Sequence, residues 1–365
     1  MSNTIGNKFK LTVFGESHSD SIGAIIEGVP AGLTIDFENI KLEMDRRRPG
    51  KSDISTSRNE MDDAKILSGY FNDKTTGSPI SIIINNENKK SKDYSKLINN
   101  MRPSHADFPA KIKFNGFNDY RGGGTFSGRL TAPIVFAGAI AKQILKERNI
   151  FIGSHISSIK NIKDDNFNEL EIKAEILEKL KNEKIPTINK EISMRMENEI
   201  LKYKKIGDSV GGIVEAAIIN LPIGLGEPIF DSFESKLSHM LFSIPGLKGV
   251  EFGKGFEISE MTGSDANDEY YYDEFKNIKT YSNNNGGILG GLSSSMPVIF
   301  KVAFKPTPSI SINQRTINLE TKENVELEID GRHDPCIVPR ALVVVEAVAA
   351  IVALDFLLES GIFYE

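Results

Sequence analysis

The chain has one cysteine, Cys336, no tryptophan and only five histidines in 365 residues. A single thiol excludes a disulfide framework and any zinc site built from cysteines. Without tryptophan, and with 8% aromatic residues, the interleaved stacking platforms of single-strand nucleic-acid binders are missing. The formal charge of −6 argues against a general nucleic-acid coat. There is no G-x-x-x-x-G-K-[ST] phosphate loop and no H-E-x-x-H pair. Gly224-Leu-Gly226 approaches G-x-G-x-x-G but lacks the third glycine, so no dinucleotide fingerprint is read. Met1 to Gly15 holds no apolar run of signal-peptide length. The one long apolar stretch, Ala341 to Leu358, carries Glu346 and Asp355 and reads as a buried helix, not a membrane span. A cytoplasmic protein with no metal centre is expected.

What the chain has in quantity is glycine, 31 residues against 15 prolines. The glycines cluster at Gly122–Gly124, Gly211–Gly212, Gly224–Gly226, Gly246–Gly255 and Gly286–Gly291. Such clusters are either turns between strands or the loops of an assembled site, because glycine lets backbone approach a ligand closely. Lys8–Phe14, Ile80–Ile84, Val210–Ile219 and Pro297–Phe304 alternate with period two and predict strands. Thr131 predicts a helix cap, with Pro133 in the first turn and apolar residues recurring from Ile134 to Leu145. Arg340–Leu358 is apolar nearly all round, as a helix between two layers would be. Strands and helices mix without a strict βαβ rhythm, so a layered α+β class is expected. Residues 158–206, rich in Lys, Glu and Asn, predict two solvated helices, roughly 166–183 and 189–204, in a peripheral arm. The Asn-rich stretch 265–285 reads as a surface loop.

Three histidines lie in polar runs that carry glycine or arginine. These are Gly15-Glu16-Ser17-His18-Ser19, Arg102-Pro103-Ser104-His105-Ala106-Asp107 and Gly331-Arg332-His333-Asp334-Pro335. Each is a candidate proton-transfer group, with a hydrogen-bonded structural role as the alternative. His155 and His239 read as structural. Arginine gathers in the same places: Arg46-Arg47-Arg48, Arg102, Arg121 and Arg129 flanking glycines and hydroxyls, Arg332 and Arg340. Guanidinium forks match phosphate and carboxylate, and glycine-turn N–H groups add donors. The triple arginine reads equally well as a cation cluster complementing a helix C-terminus. Lys305-Pro306-Thr307-Pro308-Ser309 offers a phosphate cradle or plain loop punctuation. Asp334 is a candidate base or an ion-pair partner of Arg332. The residues by themselves point to an enzyme that binds a multiply anionic, phosphorylated small molecule and moves protons with His and Asp.

Taken together and in order, these runs resemble the chorismate synthase family. The resemblance passes through FGESH (Phe14–His18), EGVPAGL (Glu27–Leu33), DRRRPG (Asp45–Gly50), RPSHAD (Arg102–Asp107) and DYRGGGTFSGRLTA (Asp119–Ala132). It continues through GDSVGG (Gly207–Gly212), GLGEPIFD (Gly224–Asp231), GVEFGKGF (Gly249–Phe256), NGGILGG (Asn285–Gly291), KPTPSI (Lys305–Ile310) and GRHDP (Gly331–Pro335). It spans nearly the whole chain and is thinnest over 158–206. It implies a carbon–oxygen lyase of the shikimate pathway that converts 5-enolpyruvylshikimate 3-phosphate to chorismate and phosphate. The reaction is a 1,4-anti elimination without net redox change that needs reduced FMN, with NADPH only as a source of reducing equivalents. The implied fold is a β-α-β sandwich, antiparallel sheets enclosing helices, with 1–365 as one domain in a homotetramer.

By the same resemblance, Arg47, Arg129 and Arg332 grip the substrate, with Ser17 and His18 near its phosphate. Thr125, Phe126, Ser127, Pro245, Gly246, Gly290, Lys305, Pro306, Thr307, Pro308, Ser309 and Arg332 line the FMN. His18 would protonate or charge-stabilise the leaving phosphate, His105 would control protonation of the reduced flavin, and Asp334 would accept the substrate proton. One departure stands out. Where the family often has an arginine shortly after RRRPG, this chain has Asp53, with Lys51 and Arg58 nearby. A carboxylate there repels phosphate, which predicts reliance on an external flavin reductase. Two other classes remain as readings: a flavin-dependent oxidoreductase that changes substrate redox state, and a non-catalytic binder of anions or RNA. The −6 charge tells against the last, and no nucleic-acid or membrane partner is expected.

Overall fold

The computed structural model describes residues 3–50, 53–56, 61–87, 97–329 and 333–362. Strands β1 (Thr4–Ile5), β2 (Lys10–Gly15) and β3 (Ser21–Glu27) run as a meander into helix α1 (Phe37–Arg47). The chain returns through β4 (Ala64–Ser68), a short hairpin of β5 (Tyr70–Phe71) and β6 (Lys74–Thr75), and β7 (Ile80–Asn85). The first sheet has the order β1-β2-β3-β7-β4, with every pair antiparallel. Ile22, Ala24 and Ile26 of β3 and Ile80, Ile82 and Ile84 of β7 are buried at alternate positions, so one face of the sheet is apolar.

Helices α2 (Asp107–Lys113) and α3 (Thr131–Lys146) lead to β8 (Phe151–Ile159) and β9 (Ile162–Lys163), then α4 (Ala174–Leu180) and α5 (Lys190–Lys205). Next come β10 (Gly212–Ile219), α6 (Phe233–Leu241), β11 (Leu247–Phe252) and α7 (Gly263–Ala266). Two small hairpins follow, β12 (Tyr270–Tyr272) with β13 (Ile278–Thr280) and β14 (Ile288–Leu289) with β15 (Leu292–Ser293). Strand β16 (Val298–Phe304), the hairpin of β17 (Gln314–Asn318) and β18 (Glu323–Leu327), and helix α8 (Val338–Glu359) complete the chain. The second sheet, also antiparallel, has the order β11-β16-β10-β8-β9. Helix α3 packs on β3 of the first sheet and α8 on β8 and β10 of the second, while α3 and α8 pack on each other. The result is the α+β class: a β-α-β sandwich with its helices enclosed.

Two features let the helices occupy this space. Small residues bring α3 and α8 close. A Cβ on Gly138 of α3 would stand 2.3 Å from Cβ of Ala347. Polar residues within the apolar layer are paired. Glu346, in the middle of α8, takes a bidentate fork from Arg46 (2.7 and 2.8 Å), a bond from Lys142 (2.5 Å) and one from the Ser154 hydroxyl (2.7 Å). Glu43 joins the cluster through Arg46 (2.9 Å), Lys142 (3.0 Å) and Lys181 (2.8 Å). Burial raises the Glu43 carboxyl, but these cations prevail and bring it down to about 2. Asp355, the second acid of α8, accepts the backbone N–H groups of Asn7, Lys8 and Phe9 and so anchors the approach to β2. The apolar window of α8 is long enough for a membrane yet wholly buried inside the protein.

The arm over 158–206 differs from expectation. Helix α4 is only Ala174–Leu180, because Phe167 and Ile172 before it are buried in extended chain. With Leu177 and Leu180 they cover Ala217, Ile219 and Ile299 on the outer face of the second sheet. His155 ties this layer down: Nδ1 lies 3.0 Å from Asp164 and Nε2 2.8 Å from Glu215. Asp164 also accepts the N–H groups of Ile188 (2.6 Å) and Asn189 (3.0 Å). The Asn-rich stretch is not a surface loop throughout. It forms the β12–β13 hairpin, and Asn283 is buried with its amide donating to Glu169 and Pro297 carbonyls at 3.0 Å. Thr131 does not cap α3. It is the first helical residue, its hydroxyl donates to the Gly128 carbonyl (2.6 Å), and the side chain has another use described below.

Gly138→Ala is expected to lower stability by about 1–3 kcal/mol through overpacking, read from denaturant unfolding. An unchanged midpoint would show that the α3–α8 contact has slack. Burial disfavours the His155 cation, but Asp164 and Glu215 outweigh it and raise the pKa. The contribution of the charged ring is therefore full below about pH 6.5, the unfolded value, and fades as pH rises through the raised folded value. Unfolding curves at pH 6 and pH 9 should converge for wild type and His155→Gln at the higher pH. A gap that stays constant would remove the cation from the account.

Candidate active site

Helices α3 and α8 both begin at one end of the sandwich, and the C-terminus of α1 arrives there too. Loops close over this end and leave a cavity of about 650 Å³, a size that suits a ligand of nucleotide or drug dimensions. Arg47, Arg102, Arg129, Lys248, Lys305 and Arg340 line it, against one lining carboxylate, Asp334, among the described residues. The two helix N-termini add partial positive charge. An anionic ligand is what this field selects.

The three consecutive arginines at the end of α1 point three ways. Arg46 belongs to the buried Glu346 cluster. Arg48 pairs with Asp45 at 3.0 Å. Only Arg47 reaches the cavity lining. Its Nε donates to Thr131 Oγ1 and its Nη2 to the Gly128 carbonyl, both at 3.0 Å. Arg129 donates from Nε to Asn86 Oδ1 (2.9 Å) and from Nη2 to the Asn85 carbonyl (3.2 Å). Both guanidiniums meet on Asp62, one on each carboxylate oxygen. Asp62 is buried and sits at φ +55°, a left-handed conformation that Asp tolerates better than most residues. Burial pushes its carboxyl up, but Arg47 and Arg129 hold it below the ordinary carboxylate range. Nothing in the local sequence around Met61-Asp62-Asp63 marks this role; only the tertiary meeting of α1 with the start of α3 reveals it.

The glycines of the DYRGGGTFSGRLTA run have a structural reason. Gly122, Gly123 and Gly124 all have positive φ (60°, 86° and 54°). A Cβ on Gly122 would lie 2.4 Å from two ring atoms of His18 and 2.6 Å from Ser17 Oγ. Ser17 lines the cavity, whereas His18 is buried directly behind Gly122. Arg121 turns away to grip Asp119 (Nε–Oδ1 and Nη2–Oδ2, both 2.8 Å).

His105 lines the cavity from the loop before α2. Its Nδ1 lies 2.6 Å from Asp107 Oδ1. Arg102 grips the same carboxylate from Nε (2.7 Å) and Nη2 (2.8 Å). Burial lowers the His105 pKa, with Arg102 and Lys305 adding to this and Asp107 opposing it. These influences together favour the neutral ring. Burial likewise lowers Lys305, aided by Lys248. Asp334 accepts from the Thr56 N–H (3.0 Å) and from Arg340, and Arg340 Nε donates to the Arg47 carbonyl (2.9 Å).

Of the residues singled out from sequence, Ser17, Arg47, His105, Thr125, Phe126, Ser127, Arg129, Pro245, Gly246, Lys305, Pro306, Thr307, Pro308, Ser309 and Asp334 line this one cavity. Gly290 does not; it lies in the turn of the β14–β15 hairpin. Arg332, Lys51 and Arg58 lie outside the described residues. Asp53 is exposed and absent from the lining, with its carbonyl accepting from Lys204 (2.6 Å). Asp62, Asp107 and Thr56 are the contributors that the sequence left without a role, whereas Arg340 was already among its anion-binding arginines. Gly207-Asp208-Ser209-Val210-Gly211 has the spacing of a hydrolase nucleophile elbow, but Ser209 precedes strand β10 and donates to the Thr307 carbonyl (2.7 Å). Cys336 is no nucleophile either, since burial pushes its thiol up to about 12.

A sandwich that gathers arginines, a neutral histidine and a carboxylate around one cavity defines an enzyme of proton and phosphate chemistry on an anionic small molecule. Residues 9–358 match the family model described as chorismate synthase. The chain is 46% identical over 361 residues to a chorismate synthase of Methanosphaera stadtmanae, covering 99% of this chain and 98% of the relative. It is equally 46% identical over 362 residues to one of Dehalococcoides mccartyi, with the same coverage. A crystal structure of a chorismate synthase superposes with a TM-score of 0.75 at 32% identity, covering 98% of this chain and 93% of that one. The chain belongs to the chorismate synthase family, whose members are lyases of aromatic amino-acid biosynthesis.

Asp62→Ala leaves two buried guanidiniums without their shared counter-charge. It is expected to cost about 3–5 kcal/mol of stability in denaturant unfolding. A loss below 1 kcal/mol would mean that the remaining acceptors suffice.

Proposed function

We propose that this protein eliminates phosphate from 5-enolpyruvylshikimate 3-phosphate to give chorismate, with reduced FMN bound in the same cavity. The observation that carries the proposal is the convergence of the family's motifs on one cation-lined space. The substrate brings a phosphate and two carboxylates, and FMN brings another phosphate. Six lining cations answer that charge.

The cavity also suits a flavin by its make-up. Phe126, Ile244, Pro245, Leu247 and Ile337 give an apolar wall, and the loop Lys305–Ser309 gives hydroxyls and a cation. Thr125–Ser127, Pro245–Gly246 and Lys305–Ser309, together with Arg332, would hold the cofactor. When bound, reduced FMN lends electron density to the substrate and recovers it, so the elimination has no net redox change. Arg47 and Arg129, braced by Asp62, hold the substrate anions and neutralise charge that builds on the leaving phosphate. Ser17 would meet that phosphate directly, and His18, buried behind Gly122, would bear on it from behind the loop as a positive charge. Asp334, oriented by Thr56 and Arg340, takes the proton lost from the substrate. His105 exchanges a proton at Nε2. The family reading also brings a cytoplasmic homotetramer of one-domain chains, NADPH as indirect reductant and an external flavin reductase as partner.

The test is anaerobic. Protein, substrate and dithionite-reduced FMN are mixed, and chorismate and phosphate are followed together. Equal yields with flavin far below stoichiometry are expected, and His105→Gln should lower kcat by about 10²–10⁴. Folded, flavin-binding protein that forms no chorismate would overturn the proposal. Reduced flavin consumed once per turnover would mark an oxidoreductase instead.

A further inference from the structure

We propose that Asp107, backed by Arg102, is the positioning residue that fixes the tautomer of His105, keeping the proton on Nδ1 and leaving the Nε2 lone pair free for proton exchange. What His105 does with that lone pair rests on the proposed function; the geometry that fixes the tautomer does not. Nδ1 stands 2.6 Å from Asp107 Oδ1. The pair is a close ion-pair contact that is not aligned as a hydrogen bond, yet two lone pairs repel at that spacing, so the contact is relieved only with a proton between them. Asp107 does not supply it. Arg102 donates to both carboxylate oxygens, and the Arg102 backbone N–H adds a contact to Oδ2 at 3.2 Å. Against burial, Arg102 and His105 hold the Asp107 carboxyl well below the usual carboxylate range. The proton therefore belongs to the imidazole, on Nδ1.

The surroundings keep the ring in place. Nε2 faces the space that a side chain on Gly123 would fill, where a Cβ would be 3.3 Å away. Ser104, just before His105, has φ +56°, and its carbonyl accepts from Lys305. Arg102 Nη1 lies 3.3 Å from Ser309 Oγ, which ties the pair to the loop after β16. Asp107, Arg102 and Lys305 are the charged groups that act on the ring. Asp107 is the first residue of α2, so helix geometry sets its distance from the loop that carries His105.

Asp107→Asn keeps the shape and reverses the polarity. The amide oxygen in the Oδ2 place keeps the Arg102 Nε and backbone N–H, the Nη2 bond is lost, and the NH₂ group in the Oδ1 place faces Nδ1, which must then accept. The proton moves to Nε2. In carboxylate–imidazole catalysts this exchange can cost about 10⁴ in kcat by imposing the wrong tautomer. The experiment uses the full chain labelled with ¹⁵N-histidine and two-bond ¹H–¹⁵N correlation at a pH where the ring is neutral. His105 is assigned by its loss in His105→Gln. Wild type should show the Nδ1–H pattern and Asp107→Asn the Nε2–H pattern, with kcat lowered by about 10²–10⁴ and KM for 5-enolpyruvylshikimate 3-phosphate changed far less. As a second variant, Arg102→Gln should keep the Nδ1–H pattern while His105 titrates at higher pH, since the guanidinium no longer opposes the imidazolium. An Nε2–H ring in wild type, an unchanged tautomer in Asp107→Asn, or a switched tautomer with undiminished kcat would each overturn the inference. If wild type forms no chorismate, the proposed function falls, and the spectra still decide the role of Asp107.

Discussion

The near contact of α3 with α8 is the constraint on which the rest of the structure depends. Each helix covers a sheet on its outer side, so their separation sets the thickness of the whole sandwich. Gly138 against Ala347 lets the two backbones approach closely. A thicker helical layer would move the first sheet, which carries Ser17 and His18 at the end of β2, away from the loop after β16. It would also separate Arg129 at the start of α3 from Arg340 in the first turn of α8. The cavity exists because both helices start at the same end, and its width follows from their spacing.

Burial on this scale leaves no place for an unpaired charge, and the protein meets that demand twice with similar means. In the helical layer, Glu43 and Glu346 share Arg46 and Lys142. At the cavity, Asp62 is shared by Arg47 and Arg129. Arg46 and Arg47 are neighbours in sequence, and rotation along α1 sends one into the core and the other to the site. A buried pair of this kind gives little net stability compared with apolar packing, but it gives direction. The arginines that face the ligand space are already oriented when it arrives, so less ordering remains to be done on binding.

The titratable groups at the cavity are arranged on the same plan. His105 answers to Asp107 and Asp107 to Arg102, while Asp334 answers to Thr56 and Arg340. Each of these lining side chains is held by a second residue on the same loop or on a helix start, and that residue is held in turn. Loops supply the reach, and the ends of α2 and α8 supply the rigidity.

Much of the molecule was legible in the sequence by itself. Period-two isoleucines in β7 and the all-round apolar run of α8 determined a layered α+β fold, because a helix apolar on every side is stable only between two apolar surfaces. The glycine, histidine and arginine runs, read in order, determined the family and pointed to many of the residues that line the cavity, although Gly290 and His18, read from the same runs, do not line it. Other features were decided only by tertiary structure. Asp62 carries no motif, and its place between two arginines arises where the end of α1 meets the start of α3. The division of labour among Arg46, Arg47 and Arg48, the use of Thr131 to hold Arg47 instead of capping a helix, and the shortening of α4 by burial of Phe167 and Ile172 belong here too. The physical reason is common to all. Apolar periodicity is a local signal with a fixed repeat, whereas a charge–charge contact depends on where two distant segments meet, and no spacing along the chain encodes that distance.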